Sequence, residues 1–243
     1  MSTRALLLGC AMLLATLTGC GSTPRIDAER QAPTGIEPGE AVTIILGTHQ
    51  ECKDHVNGGC PASSLAESSE KEFESCLSAA IESATPDFTI VPAATFRSTA
   101  LPGAAFEHFP RTAEALAAAA KDEDFRRRVA PLKLRYAVVL TVITRESGRR
   151  TTHGGSQGVW EVGRQSVRST SMTAEILDLR EARISGALRA NSQGAAGWTV
   201  PVVLFVPLPP IPYSAVTETK ACDSLGKPVA NFIRIRNSWP MRN

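Results

Sequence analysis

Apolar positions along this chain fall into blocks with different periods. Val42 to Leu46 is a short apolar, β-branched run that predicts a buried strand. Phe73, Cys76, Leu77, Ala80 and Ile81 then recur at i, i+3, i+4, i+7 and i+8, which predicts an amphipathic helix from about Leu65 to Ser83. Ser69 and Glu72 have capping-box spacing at its start, and Thr85-Pro86-Asp87 ends it. Phe88 to Val91 predicts a second strand, stopped by Pro92. Thr95 to Pro110 reads as a loop carrying Phe96, Phe106, His108 and Phe109, which either pack on the core or line a pocket. Thr112 to Lys121 is Ala-rich and reads as helix, and Asp122 to Val129 adds a turn or two. Arg126, Arg127 and Arg128 suit the negative end of that helix dipole without any ligand, and Pro131 ends it.

The second half has the period of strands. Tyr136 to Ile143 is apolar except at Thr141, which predicts a strand covered on both faces within Arg135 to Thr144. Glu146 to Gly158 is glycine-rich and polar and reads as a loop, with His153 solvated in it. Val159 to Leu179 reads as one long strand or two short ones, with Met172, Ala174 and Ile176 on one face and Thr173 and Glu175 on the other. After a turn at Asp178 to Ala182, the positions Ile184, Gly186, Leu188 and Ala190 alternate with Arg183, Ser185 and Arg189, which completes an antiparallel hairpin. Val200 to Tyr213 is apolar but holds Pro201, Pro207, Pro209, Pro210 and Pro212, so it is neither a spanning helix nor a central strand. Two readings stand for it: an edge strand and loop over the core, or an exposed patch of Val203, Phe205, Leu208 and Ile211 for a partner or a lipid surface. Thr217 to Ile235 closes the chain as a helix with Ala221, Leu225, Val229 and Phe232 or Ile233 inward, kinked near Gly226 and Pro228. The predicted fold class is α/β, with α+β the alternative: one domain, a mixed sheet of about five strands packed with helices.

The first twenty residues add an address. Arg4 precedes an apolar run from Ala5 to Leu17, short of the ~20 residues that span a bilayer as a helix. The run ends at Leu17-Thr18-Gly19-Cys20, which resembles the lipobox of bacterial lipoprotein signals. The resemblance implies cleavage before Cys20, a diacylglyceryl group on its sulfur and acylation (palmitate) of the new amino terminus. Gly21 stands where that family uses Asp to retain proteins at the inner membrane, so the implied location is the outer membrane, facing the periplasm. On this reading residues 1–19 are signal, 20–40 a flexible Pro/Gly spacer, 41–236 the periplasmic domain and 237–243 a tail.

Composition changes the picture little. Without Arg4 the basic count falls from 26 to 25 against 24 acids, so nothing calls for nucleic acid or a strongly anionic partner. Cys10 leaves with the signal and Cys20 is the lipidation site, so Cys52, Cys60, Cys76 and Cys222 remain. Four cysteines allow three pairings, and an oxidising compartment favours disulfides. The preferred pairing joins Cys52 to Cys60 and Cys76 to Cys222. His49, Cys52, His55 and Cys60 also have a spacing open to a metal, but a disulfide there leaves no thiolate to offer. No metal, cofactor or catalytic residue is therefore assigned. Gly154-Gly155 lacks the Lys-Ser/Thr of a phosphate loop, and no Gly-x-Ser-x-Gly or His-Glu-x-x-His occurs.

In its order of elements the chain resembles the CsgG-like and TolB N-terminal group of periplasmic domains. The likeness rests on the first strand, the helix around Phe73 to Ile81, the strands Phe88 to Val91 and Tyr136 to Ile143, and the hairpin with Ile176-Leu177-Asp178 before its turn. It implies scaffolding or docking at the envelope, in some members oligomeric channels; no clear pair of amphipathic spanning hairpins stands out here. The expected function is a lipid-anchored accessory protein with an envelope protein partner, bound to the membrane through Cys20, and without catalysis. The alternatives are a ligand- or metal-binding sensor and an unrecognised hydrolase.

Overall fold

A computed structural model of the chain describes residues 24–53, 60, 65–84, 89–156, 159–203, 206–207, 209–213 and 216–234. The Leu17–Cys20 motif, His55, Phe88, Phe205 and Leu208 lie outside the described residues. The strands are β1 (Arg25–Arg30), β2 (Ala41–Lys53), β3 (Thr89–Val91), β4 (Leu134–Ser156), β5 (Val159–Asp178), β6 (Arg183–Val203), β7 (Val206–Pro207) and β8 (Ile211–Tyr213). The α-helices are α1 (Glu67–Ala84), α2 (Ala93–Ala100), α3 (Ala113–Ala119), α4 (Glu123–Val129) and α5 (Thr217–Arg234). In space the sheet runs β1-β6-β5-β4-β2-β3, with β7 and β8 added to the far end of β6. Strand β2 lies parallel to β3 and β4, and the other pairs are antiparallel. The mixed sheet packed with helices is as expected, and its long antiparallel strands place it in the α+β class.

Helices cover both faces of the β2–β4–β5–β6 centre. On one face α1 and α5 pack Phe73, Leu77, Ile81, Leu225, Val229 and Phe232 against Val138, Leu140, Met172, Ile176 and Leu188. On the other, α2, α3 and α4 pack Phe96, Leu116 and Phe125 against Ile45, Ala137, Val139 and Leu177. The sheet's inner strands are apolar at consecutive positions because each face meets a helix layer. Two disulfides are present. Cys52 is joined to Cys60 with Cα atoms 4.7 Å apart, and Cys76 to Cys222 with Cα atoms 6.3 Å apart. One turn on from the second, a Cβ on Gly226 would lie 2.2 Å from Ala80 Cβ, so only glycine lets α5 approach α1 this closely. Both contacts advance by four residues, so the two helices run in the same direction.

Several expectations need correcting. Residues 20–40 were expected to be a spacer, yet Arg25–Arg30 adds β1 to β6. The segment after it is anchored: the Tyr136 hydroxyl bonds both the N–H and C=O of Gly35 (2.9 and 3.1 Å), and buried Thr34 donates to the Phe232 carbonyl. Residues 25–29 of this edge strand are all exposed, so neither face carries an apolar signal, which hides β1. The polar stretch from His49 to Ser63 reads as a loop, yet β2 runs on through it to Lys53, and β4 runs on to Ser156 through the loop expected from Glu146 to Gly158. The polar residues there are held extended by main-chain bonds, those of β2 to the distant β4 and those of β4 to β5, which follows it directly in sequence. Ser69 lies inside α1 and does not cap it. Thr95–Ala100 belongs to helix α2, and Phe106–His108 forms a 3-10 turn. Ile184 faces the α2–α4 layer, whereas Leu188 and Ala190 face α1 and α5. The pairing of Ile176 with Gly186 and of Leu177 with Ile184 leaves Ser185 as an inserted residue that flips the face.

Candidate functional site

The polar group that stands out lies where the α1/α5 layer ends and the strands continue. Its placement begins with Gly47. The β2–β4 register slips between Leu46 and Thr48, so Leu46 pairs with Leu140 and His49 with Val142. Without that bulge Thr48 would follow Ile44 and Leu46 onto the α1/α5 face; with it, His49 and Glu51 take that face. A Cβ on residue 47 would meet the Arg111 carbonyl oxygen at 2.4 Å, so the bulge requires glycine. His49 accordingly packs edge-on against Phe73 of α1, with ring centroids 5.2 Å apart. Glu51 sits opposite Thr144, and Thr144 opposite Thr170. Helix α5 begins directly over them with Thr217 and Glu218.

These groups form one network. The Thr144 hydroxyl donates to Glu218 at 2.7 Å and lies 3.0 Å from the Thr170 hydroxyl, which lies 2.8 Å from that of Thr217. Each hydroxyl has one proton to give, so Thr170 donates to Thr144 and Thr217 to Thr170. Three buried threonines are thereby satisfied in a chain that ends on a carboxylate. Glu218 in the first turn of α5 also suits the positive end of its dipole. Arg168 bridges the two acids, 3.0 Å from Glu218 and 3.5 Å from Glu51. One nitrogen of His49 and one oxygen each of Glu51 and Glu218 all lie within 4.8 Å of one another. His49 Nε2 is buried and has no hydrogen-bond partner.

Sequence reasoning set His49 beside Cys52, His55 and Cys60 as a spacing open to a metal, and preferred a Cys52–Cys60 disulfide with solvated histidines. The structure commits both cysteines to a disulfide and gives His49 two glutamates instead. Glu51 and Glu218 were missed. Their available signal was His-x-Glu after a glycine in a strand, and an acid in the first turn of the last helix.

The aromatic loop forms no shared pocket wall. Phe96 and Phe109 are buried and stack edge-to-face at 5.6 Å, and Phe96 does the same with Phe125 at 6.2 Å. His108 is exposed. Phe106 lies against two guanidinium groups, with Arg111 at 3.8 Å and Arg97 at 4.8 Å from its centroid. Both arginines face the buried Glu70 carboxylate of α1, and burial lowers the pKa of each; for Arg97 the neighbouring Arg111 adds to this. The triad finishes a free edge: β3 pairs only with Ala41–Thr43, so the Leu46 N–H donates to Glu70 (3.3 Å) and its carbonyl accepts from Arg111 (2.9 Å). This is a structural role. Arg127 pairs with Glu123 and Asp124 on its own helix, and Arg128 donates to the Ala100 carbonyl at 2.8 Å. Of the proposed partner patch, Val203 ends β6, where it pairs with Val206, and Ile211 lies in β8, opposite Thr199.

No family model and no curated protein matches the chain. Solved structures similar to it include the PelC dodecamer from Paraburkholderia phytofirmans, at 11% identity and TM-score 0.35, covering 88% of this chain and 100% of that one. A neuraminyllactose-binding hemagglutinin homolog from Helicobacter pylori is similar at 10% identity and TM-score 0.38, covering 83% and 88%. Lipoprotein GNA1162 from Neisseria meningitidis is similar at 12% identity and TM-score 0.26, covering 79% and 99%.

Proposed function

We propose that this chain is a lipid-anchored accessory protein of the bacterial envelope that docks a protein partner and carries out no catalysis itself. The observation that carries the reading is the arm formed by β4, β5 and β6. The apolar core positions of these strands end at Val142, Met172 and Ala190, yet the strands stay paired as far as Ser156, Val159 and Val203. Along the arm Val162 and Trp198 are exposed on the sheet face that α1 and α5 cover further back, and Val167 is exposed on the other. Exposed apolar and aromatic side chains on a paired ribbon are the raw material of a protein interface. The lipobox at Cys20 and two disulfides fit an exported protein held at a membrane. The outer membrane is the proposed site, from Gly21.

In-cell photocrosslinking tests this directly. A photoreactive residue at Val162 or Trp198 is expected to give one dominant protein adduct, and the same residue at exposed Lys71 on α1 none. Equal labelling from Lys71, or no adduct from either arm position, rejects docking through the arm. The anchor is checked separately: Cys20→Ala is expected to move the protein from the membrane to the soluble periplasmic fraction.

A further inference from the structure

We propose that His49, Glu51 and Glu218 form a binding site for a first-row divalent metal of the zinc class, with Arg168 as the internal cation that the metal displaces. The inference is independent of the docking reading. An imidazole nitrogen and two carboxylates are a donor set that suits zinc and its neighbours. Tetrahedral bonds of about 2.0–2.1 Å would place ligand atoms about 3.4 Å apart, so the observed separations, all within 4.8 Å, close by small side-chain rotations. Glu51 is half-exposed and free to turn inward, and Glu218 is held from behind by Thr144, as second-shell hydrogen bonds hold metal ligands.

Charge points the same way. Two carboxylates face one guanidinium, which leaves an excess of negative charge beside an imidazole. His49 Nε2 is buried without a hydrogen-bond partner. A buried polar nitrogen left unpaired costs stability that a ligand bond would recover. Arg168 touches both acids but is about one-third exposed, so it can swing to water as a metal enters. The site is also built by long-range structure, with the Gly47 bulge turning two ligands toward a helix start that supplies the third.

The test uses the full chain, tag-free, in detergent and with both disulfides oxidised, titrated calorimetrically with Zn²⁺ alone. The expected result is one Zn²⁺ per chain. Glu51→Gln, at an exposed position, is expected to weaken binding at least tenfold without moving the thermal midpoint of the metal-free protein. His49→Ala and Glu218→Gln should weaken it as much or more. Arg168→Met is expected to tighten binding, because it removes the competing cation; a merely structural arginine would not do so. No stoichiometric binding, or binding that Glu51→Gln and Glu218→Gln leave unchanged, overturns the proposal. Weaker binding by Arg168→Met in a protein that melts normally overturns the displacement step.

Discussion

The two faces of the sheet are covered in different ways. One carries α1 and α5, each a helix of 18 residues, aligned in parallel and joined by Cys76–Cys222. The other carries α2, α3 and α4, of 8, 7 and 7 residues. Isolated helices that short are not stable in water, so each depends on what fixes its ends. Thr112 accepts from Ala115 N at the start of α3, and Asp122 from Phe125 N at the start of α4. The Ala93 N–H at the start of α2 donates to Glu74 of α1 (3.0 Å). A long amphipathic helix carries its own instructions in its stripe, whereas a layer of short ones is assembled from caps and from partners on other elements.

Removing what ties the two layers together should have the largest effect. Glu70 leaves α1 to neutralise Arg97 of α2 and Arg111, and it is 2% exposed. Glu70→Ala takes the nearest carboxylate from Arg111 and leaves Arg97 only the half-exposed Glu67 at 3.8 Å, although burial already disfavours both guanidinium groups. Breaking such a group by removing one partner costs about 3–5 kcal/mol. Urea unfolding should show that loss, with near-UV signals of both layers changing together; a change below about 1 kcal/mol would mean the arginines find water instead.

The disulfide acts within one layer. Its loop of 146 residues is long, and replacing both cysteines with alanine should cost about 2–4 kcal/mol, chiefly through a less restrained unfolded chain. The expected signature is a lowered denaturation midpoint with native-state spectra intact. Because Gly226 still lets α5 reach Ala80, the helices should stay packed in the variant; loss of native near-UV signal would show that the bond holds the layer together by itself.

That contrast also explains what was legible in the chain. The stripes of α1 and α5 are local patterns that mark each helix to within a few residues, and the apolar centre of β4 marks that strand's start but not its end at Ser156. The preferred pairing of Cys76 with Cys222 ties an early helix to a late one, and the bond joins α1 to α5. Helix α2 was illegible because Phe96 is the one large apolar residue among its eight, and its start is held by Glu74 from another helix. Strand β1 and the outer half of β2 are ordered by main-chain bonds to β6 and β4, far away in sequence, and the outer half of β4 and residues 191–197 of β6 are small or polar, so no side-chain period records them. The His49–Glu51–Glu218 group was hidden for a related reason. A one-residue bulge at Gly47 decides which face His49 takes, and Glu218 arrives from the last helix.

A cap on the short-helix face gives a smaller effect. Asp122→Ala removes the acceptor for Phe125 N and should cost about 1 kcal/mol, the usual value for such a cap. Phe125 is buried against Phe96, so hydrogen exchange should quicken in α4 before it does in α1. Equal change in both helices would show that the two faces open as one unit.

The smallest effect is one of pH. Glu175 projects from β5 toward the α2–α4 side, and burial, with the nearby Glu114 carboxylate of α3, raises its pKa above the ordinary carboxyl value. The folded chain therefore takes up this proton at a higher pH than the unfolded chain does. Across that window stability falls as pH rises, and above it the charged carboxylate is a standing cost. Glu175→Gln should raise the melting temperature slightly at neutral pH. The gain should shrink as pH drops through the raised native value and vanish below the ordinary carboxyl range, where both forms are neutral. The group is partly exposed, so solvent screening keeps the effect small. A gain that persists unchanged into acid would mean that packing of the amide, and not relief of a buried charge and its repulsion from Glu114, stabilises the short-helix face.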